Sequence, residues 1–131
     1  MTLVVDASAL VAALIESRPE GRWVEATLAA DDLAVPEFAL AESTNIFRRL
    51  ELSGGISRAR ADRGRRNLLR LPLQLHRFAP FADRVWELRH NLTAYDAWYV
   101  ALAESLDCPL VTLDFRLSRA SGPTCEVLTP P

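Results

Sequence analysis

Short apolar segments alternate along the chain with longer segments in which hydrophobic residues recur at helical spacing. Uniformly apolar runs of this length are typical of strands that are buried on both faces. The predicted strands cover residues 3–5, 33–35, 73–77, 110–113 and 125–128, and the alternating third segment predicts an edge strand. The predicted helices cover residues 9–16, 22–30, 37–52, 80–91, 94–106 and 115–120, with an arginine-rich helix between Ser57 and Pro72.

This order of elements predicts the fold class. Short apolar strands that alternate with helices are typical of an α/β fold, in which a parallel sheet is covered by helices on both faces. Sites in such folds lie beyond the carboxyl ends of the strands. The 131 residues are enough for one domain with a substantial core, so we expect a single domain over residues 1–131.

Composition indicates the class of protein and its expected location. Hydrophobic residues make up 50% of the chain and charged residues 24%, which is typical of a globular protein. No apolar run is long enough to span a bilayer, so no membrane association is expected. The amino-terminal segment lacks the basic region of a signal peptide, and we therefore expect a cytoplasmic location.

Four acidic residues stand beside apolar segments, where an ionised carboxylate is costly unless it is neutralised, paired or bound to a metal. Asp6 and Asp114 end predicted strands, whereas Glu42 and Asp96 lie within predicted helices. The chain contains no lysine that could pair with them. Because helices can reach the carboxyl ends of parallel strands, we expect the four carboxylates to share one site. A divalent cation could hold several of them together.

The remaining residues limit the chemistry of such a site. No glycine-rich dinucleotide fingerprint follows a strand, and a phosphate-binding P-loop is impossible without lysine. The two histidines and two cysteines have no catalytic or metal-site spacing. Oxygen ligands without histidine or cysteine suit Mg²⁺ or Mn²⁺. Metal-assisted hydrolysis of a phosphodiester is the reaction that this ligand set favours.

Four segments together resemble the motifs of the PIN domain, and in particular the VapC toxins of type II toxin–antitoxin modules. They are Val5-Asp6-Ala-Ser8, Ala41-Glu42-Ser-Thr-Asn45, Tyr95-Asp96-Ala-Trp and Val111-Thr-Leu-Asp114. The resemblance implies a three-layer α/β/α fold whose five-stranded parallel sheet has the order 3-2-1-4-5. It also implies that Asp6, Glu42, Asp96 and Asp114 form the catalytic quartet.

The same resemblance implies roles for individual residues. Asp6, Asp96 and Asp114 correspond to metal ligands, whereas Glu42 corresponds either to a ligand or to a general base. Ser8, Asn45 and Thr112 fall at positions of supporting polar residues, although Asn45 could equally cap a neighbouring loop. The implied activity is that of a Mg²⁺- or Mn²⁺-dependent endoribonuclease, which a cognate antitoxin holds inactive and which forms a homodimer.

Each acidic residue also has a purely structural interpretation. Asp6 and Asp114 could be helix N-caps, and Asp96 could be the third-position acid of a capping box that starts at Thr93. Glu42 could be a solvent-facing helix residue. The four together are less easily explained in this way, because their match to the family pattern would then be a coincidence.

Arginines form a separate feature of the sequence. Many of them lie in the predicted helix between Ser57 and Pro72. A charged helix face is usually solvated, but arginine also suits bidentate contacts with phosphate. The candidates for binding RNA or antitoxin are Arg48, Arg49, Arg58, Arg65, Arg66 and Arg116.

Two other functions remain open at this stage. One is a PIN nuclease of RNA processing or DNA metabolism, although such proteins usually carry additional domains. The other is a binding module in which a partner's arginine fills the acidic pocket and catalysis is incidental.

Overall fold

A five-stranded sheet, all of whose neighbouring strands are parallel, forms the centre of the computed structural model, which describes residues 1–15, 18–29 and 31–131. The strands are β1 (Thr2–Val5), β2 (Asp32–Pro36), β3 (Leu73–His76), β4 (Leu110–Val111) and β5 (Val127–Leu128). Their order is β3-β2-β1-β4-β5, as predicted. β1 and β4 are therefore neighbours, although more than a hundred residues separate them.

Helices cover this sheet on both sides, which confirms the three-layer α/β/α class. They are α1 (Ala7–Ile15), α2 (Pro19–Leu28), α3 (Ala39–Leu52), α4 (Arg58–Leu68), α5 (Ala82–Glu87), α6 (Ala94–Leu106) and α7 (Phe115–Ser118). α6 packs against β1, β2 and β4, and α5 packs against α6. α1 contacts α2, α3 and α4. Within the described residues, no helix has the length and apolar character needed to cross a membrane.

The core lies between the central strands and α6. Val4 and Val5 of β1, Val35 of β2 and Leu110 of β4 are fully buried. Apolar side chains on both faces of these strands explain why the sequence shows no alternation there. α6 is buried over most of its length, which fixes its amino-terminal turn at the carboxyl end of the sheet.

Several element boundaries differ from the predicted ones. Residues 80–91 do not form one helix: a 3₁₀ turn, Ala79–Phe81, precedes α5, and the chain turns after Glu87. α3 begins at Ala39 instead of residue 37, and α7 ends at Ser118 instead of residue 120. The predicted ends at residues 16 and 30 lie outside the described residues.

The two carboxyl-terminal strands are also shorter than predicted, for a physical reason. β4 ends at Val111 instead of residue 113 because side-chain hydroxyls accept the following backbone N–H groups, Leu113 to Ser8 and Asp114 to Thr112. β5 begins at Val127 instead of residue 125, and the Thr124 N–H donates to Glu104 at 2.7 Å. Side chains thus replace the sheet ladder at these two places.

Candidate active site

The carboxylate of Asp6 lies immediately after β1 and is buried, with 8% of the residue exposed. Its Oδ1 accepts hydrogen bonds from the Ser8 hydroxyl at 2.7 Å and from the Ala9 N–H at 3.0 Å. Its Oδ2 accepts a hydrogen bond from the Thr112 hydroxyl. An ionised carboxylate offers roughly four acceptor positions, so these three donors leave one position on Oδ2 for a further ligand.

Thr112 connects this carboxylate to the end of β4. It is fully buried, and its Oγ1 accepts the backbone N–H of Asp114 at 2.9 Å while its hydroxyl donates to Asp6. The Ser8 hydroxyl also accepts the Leu113 N–H, at 3.4 Å. Two hydroxyls therefore join the carboxyl ends of neighbouring strands, and they hold Asp6 and the backbone of Asp114 in one network.

Glu42 reaches the same end of the sheet from the first turn of α3. Its Oε1 accepts a hydrogen bond of 2.7 Å from the hydroxyl of Tyr99, which lies on α6. The negative charge of Glu42 also contributes to raising the pKa of Asp6. Glu42 and Asp6 therefore form one half of the site.

Asp96 and Asp114 form the other half. Both line a cleft of about 270 Å³, together with Thr93 and Arg116. Arg116 donates to Oδ1 of Asp114 from its backbone N–H at 2.9 Å and from Nε at 3.3 Å, and to Oδ2 from Nη2 at 3.4 Å. One cation of the chain itself thus already balances Asp114.

The carboxylates differ in how their surroundings shift their pKa values. Burial, followed by the charge of Glu42, raises the pKa of Asp6 against the lowering effect of its hydrogen bonds. Burial and the charge of Asp114 raise the pKa of Asp96. Burial alone would raise the pKa of Asp114 too, but hydrogen bonds and charge from Arg116 outweigh it and lower that pKa. The ionised form is therefore least favourable at Asp6 and Asp96.

The acidic site fits a hard divalent cation, because its carboxylates and hydroxyls offer only oxygen ligands. Within residues 1–15, 18–29 and 31–131, no group of three or more Asp, Glu, His or Cys side chains is arranged so that it could hold a metal ion by itself. Mg²⁺ typically binds through one or two carboxylates and keeps several waters. Two half-sites of two carboxylates each are compatible with that mode of binding.

The helix-cap interpretations of Asp6 and Asp114 are confirmed, and at Asp96 the structure shows the Thr93 half of the predicted capping box. These hydrogen bonds do not exclude a shared site. The Thr93 hydroxyl accepts the Asp96 N–H at 3.2 Å and caps α6. Asp114 caps α7, and Asp6 accepts the N–H of Ala9 in the first turn of α1. Caps place these carboxylates at helix amino termini, which here all lie at one edge of the sheet.

The other predicted residues are placed as follows. Ser8 and Thr112 lie in the network, whereas Asn45 is exposed and makes no side-chain hydrogen bond with the described part of the chain. Tyr99, not Asn45, contacts Glu42. Sequence analysis missed Tyr99 because it stands in an apolar helix, although its position three residues after Asp96 was a usable signal. All six arginines predicted to contact RNA or antitoxin are exposed: Arg48, Arg49, Arg58, Arg65, Arg66 and Arg116.

A second, larger groove adjoins the acidic site. It has a volume of about 530 Å³ and is lined mainly by apolar residues of α1 and α3, with Ser8 and Leu113 at the end near Asp6. Arg49 also lines this groove, whereas Arg58, Arg65 and Arg66 lie on α4 outside it.

Fold and site together define an α/β protein with acidic residues at the topological switch between β1 and β4. The PIN domain family model matches residues 3–123, and the chain belongs to that family. It is 39% identical over 129 residues to ribonuclease VapC9 of Mycobacterium tuberculosis, with 98% of each chain covered. It is 40% identical over 128 residues to ribonuclease VapC1 of the same organism, with 95% of this chain and 94% of the relative covered.

Solved structures show the same fold. PAE2754 from Pyrobaculum aerophilum matches with a TM-score of 0.67 and 25% identity, over 97% of this chain and 83% of that one. VapBC2 from Rickettsia felis, bound to a DNA fragment from its promoter, matches with a TM-score of 0.68 and 16% identity, over 98% of both chains.

The raised pKa of Asp6 predicts how its replacement changes the thermal stability of the protein. In chelator at neutral pH, Asp6→Asn should raise the melting temperature, because the folded chain no longer has to bury an ionised carboxylate. A gain of about 1 kcal/mol in the free energy of unfolding corresponds to roughly 4 °C. The folded pKa lies above the unfolded value, so the wild-type penalty is full above the folded pKa and disappears below the unfolded one. The difference in melting temperature should therefore shrink towards about pH 4.

The matched control is Asp32→Asn, since Asp32 is exposed on β2. It removes the same charge without relieving burial. Thermal unfolding followed by circular dichroism between pH 4 and pH 8 measures both variants. An Asp6→Asn protein that is less stable than Asp32→Asn at neutral pH would contradict the assignment of strain to Asp6.

Proposed function

We propose that this protein is a metal-dependent endoribonuclease and the toxin of a toxin–antitoxin pair, acting on cytoplasmic RNA. The observation that carries the proposal is the hydroxyl network that joins Asp6 to Asp114, with Glu42 and Asp96 at the same end of the sheet. The relatives at 39% and 40% identity, which span nearly the whole chain, are ribonucleases by name. Phosphodiester hydrolysis is the reaction that oxygen ligands and a divalent cation favour.

The four acidic residues of the site have different proposed roles. Asp6, Asp96 and Asp114 would hold Mg²⁺ or Mn²⁺ through the oxygen positions that their hydrogen bonds leave free. When bound, the cation lowers the pKa of a coordinated water and stabilises negative charge on the phosphodiester. Glu42, fixed through Oε1, keeps Oε2 for a ligand or for the proton of the attacking water. The Ser8 hydroxyl is engaged, because it donates to Asp6 and accepts the Leu113 N–H. Direct hydrolysis by water is therefore the proposed course.

The direct test is cleavage of RNA by purified protein. Asp6→Asn, Asp96→Asn and Asp114→Asn should each lower cleavage by about a hundredfold or more, because each loses one charged ligand of a shared site. Chelation should stop the wild type, and added Mg²⁺ or Mn²⁺ should restore it. Gel analysis of end-labelled single-stranded RNA follows the reaction, with circular dichroism as the check on folding.

Asp32→Asn is the control, because it makes the same change on the exposed surface of β2. Wild-type rates in all three site variants would refute the site. Undiminished cleavage in excess chelator would refute the metal dependence. A preference for single-stranded DNA would favour a PIN nuclease of DNA metabolism, and metal binding without any cleavage would favour a binding module.

The arginines supply the proposed phosphate contacts. Arg49 is the best placed, because it is exposed and lines the groove that ends at Ser8 and Leu113. Arg48 neighbours it on α3, and Arg58, Arg65 and Arg66 extend the basic surface along α4. Arg116 is engaged with Asp114 and is therefore a weaker candidate for free contact with RNA.

This assignment predicts a change in salt dependence. Arg49→Gln should weaken RNA binding and reduce the slope of log K against log salt by about 0.7, as loss of one phosphate contact does on a single strand. Arg89→Gln is the control, since Arg89 stacks on Trp86 near α5. Fluorescence anisotropy in an Asp6→Asn background measures both. An unchanged slope for Arg49→Gln would show that Arg49 does not contact phosphate and instead faces solvent or binds protein.

We also propose a cognate antitoxin as partner. VapBC2 from Rickettsia felis and the toxin–antitoxin complex from Klebsiella pneumoniae share the fold of this chain. The apolar groove beside Asp6 and the acidic cleft lined by Asp96 and Asp114 are concave surfaces next to the site. An antitoxin segment that combines apolar side chains with an arginine would match both surfaces.

A homodimer is the proposed assembly, and an exposed aromatic surface supports it. Phe38 stacks on Tyr95 with ring centroids 5.0 Å apart, and Phe78 meets Trp98 edge to face at 5.1 Å. Phe38, Phe78 and Tyr95 are each at least 40% exposed. Aromatic side chains gathered on a surface are typical of protein interfaces.

If this surface forms the proposed interface, Phe78→Glu should yield a monomer, because it places a charge among the apolar side chains of that surface. Leu52→Glu is the control, since Leu52 is 66% exposed at the far end of α3. Light scattering at micromolar concentration measures the mass. A monomeric wild type would refute the dimer, and a dimeric Phe78→Glu protein would place the interface elsewhere.

A further inference from the structure

The hydroxyl of Tyr99 connects two helices at the acidic site. Tyr99 lies on α6, three residues after Asp96, and is 3% exposed. Its hydroxyl donates to Oε1 of Glu42 on α3 at 2.7 Å, across 57 residues of sequence. Residues three apart lie on one face of a helix, so α6 directs both side chains towards the carboxyl end of the sheet.

The same hydroxyl is close to the other carboxylate of this half-site. The negative charge of Asp6 acts on Tyr99 together with that of Glu42. Burial and these two charges raise the pKa of Tyr99 well above its usual range. The geometry shows the role of the phenol hydroxyl directly, because it donates its hydrogen bond to Glu42.

Glu42 has few other restraints. It is half-buried in the first turn of α3, and in the described part of the chain the Tyr99 hydroxyl is the group that hydrogen-bonds to its carboxylate. Without that donor, repulsion from Asp6 would favour conformers in which Glu42 turns towards solvent. The long side chain has the rotamer freedom to do so.

We propose that Tyr99 is a positioning residue that holds Glu42 beside Asp6 and leaves Oε2 of Glu42 free for the cation or the attacking water. This inference rests on the proposed function, because it assigns Tyr99 a role at the same site. The hydroxyl, and not the aromatic ring, carries the effect. Tyr99→Phe keeps the buried ring and removes only the donor, which makes it the informative variant.

The expected result is a selective loss. Tyr99→Phe should lower kcat by about tenfold or more, with a nearly unchanged KM for RNA, because it misplaces a charged group whose hydrogen bond is worth that factor. It should also weaken Mn²⁺ binding to the metal-free protein by about threefold or more, as measured by isothermal titration calorimetry. Tyr95→Phe is the matched control, since Tyr95 is 55% exposed on the same helix and keeps the ring that stacks on Phe38.

A double-mutant cycle separates positioning from general destabilisation. If Tyr99 acts through Glu42, adding Tyr99→Phe to Glu42→Gln should change kcat and Mn²⁺ affinity by less than twofold beyond Glu42→Gln alone. Full additivity would overturn the proposal, and so would a Tyr99→Phe protein that matches Tyr95→Phe in both measurements. If the wild type cleaves no RNA, the proposed function fails, while the Mn²⁺ cycle still decides the role of Tyr99.

Discussion

The rest of the site depends on a carboxylate buried at the end of β1. Burying Asp6 is unfavourable by itself, and the fold compensates with donors from three places: the Ser8 side chain, the Ala9 backbone and the Thr112 side chain. One of these donors comes from the end of β4. The polar network therefore joins two neighbouring strands that are more than a hundred residues apart in sequence.

The site has two halves that differ electrostatically. In one, the Tyr99 hydroxyl donates to Glu42, and neither Glu42 nor Asp6 has a cationic partner among the contacts described. In the other, Arg116 already neutralises Asp114, and Asp96 lies beside both. Negative charge is thus least compensated around Asp6, so a cation bound there would give the largest electrostatic stabilisation. A ligand set divided in this way suits an ion that retains water and takes further oxygens from phosphate.

Sequence patterns were sufficient for the layers, the strand order and the placement of Asp6 and Asp114, because apolar strands and a family motif carry that information locally. They failed at β4 and β5, where Thr112 and Glu104 replace ladder hydrogen bonds by side-chain contacts between distant segments. They also missed Tyr99, whose partner lies on another helix. Long-range side-chain geometry of this kind has no period in the sequence.

Capping and catalysis are commonly treated as alternatives for an acidic residue at a helix start, and in the proposed site they coincide. Asp6 and Asp114 accept backbone N–H groups of the helices that follow their strands, and the Asp96 N–H bonds to the Thr93 cap. The caps fix backbone direction, so each carboxylate is oriented before any ligand arrives. This explains why residues with an ordinary local role can also form a shared site.

The central claim is that these four carboxylates form one cation site. Anomalous diffraction from crystals soaked in Mn²⁺ tests it directly, because the signal locates the ion without reference to activity. We predict a Mn²⁺ peak at the carboxyl ends of β1 and β4, in contact with Asp6 and with at least one of Asp96 and Asp114. Ordered Mn²⁺ elsewhere on the protein, with no peak beside Asp6 at saturating concentration, would contradict it.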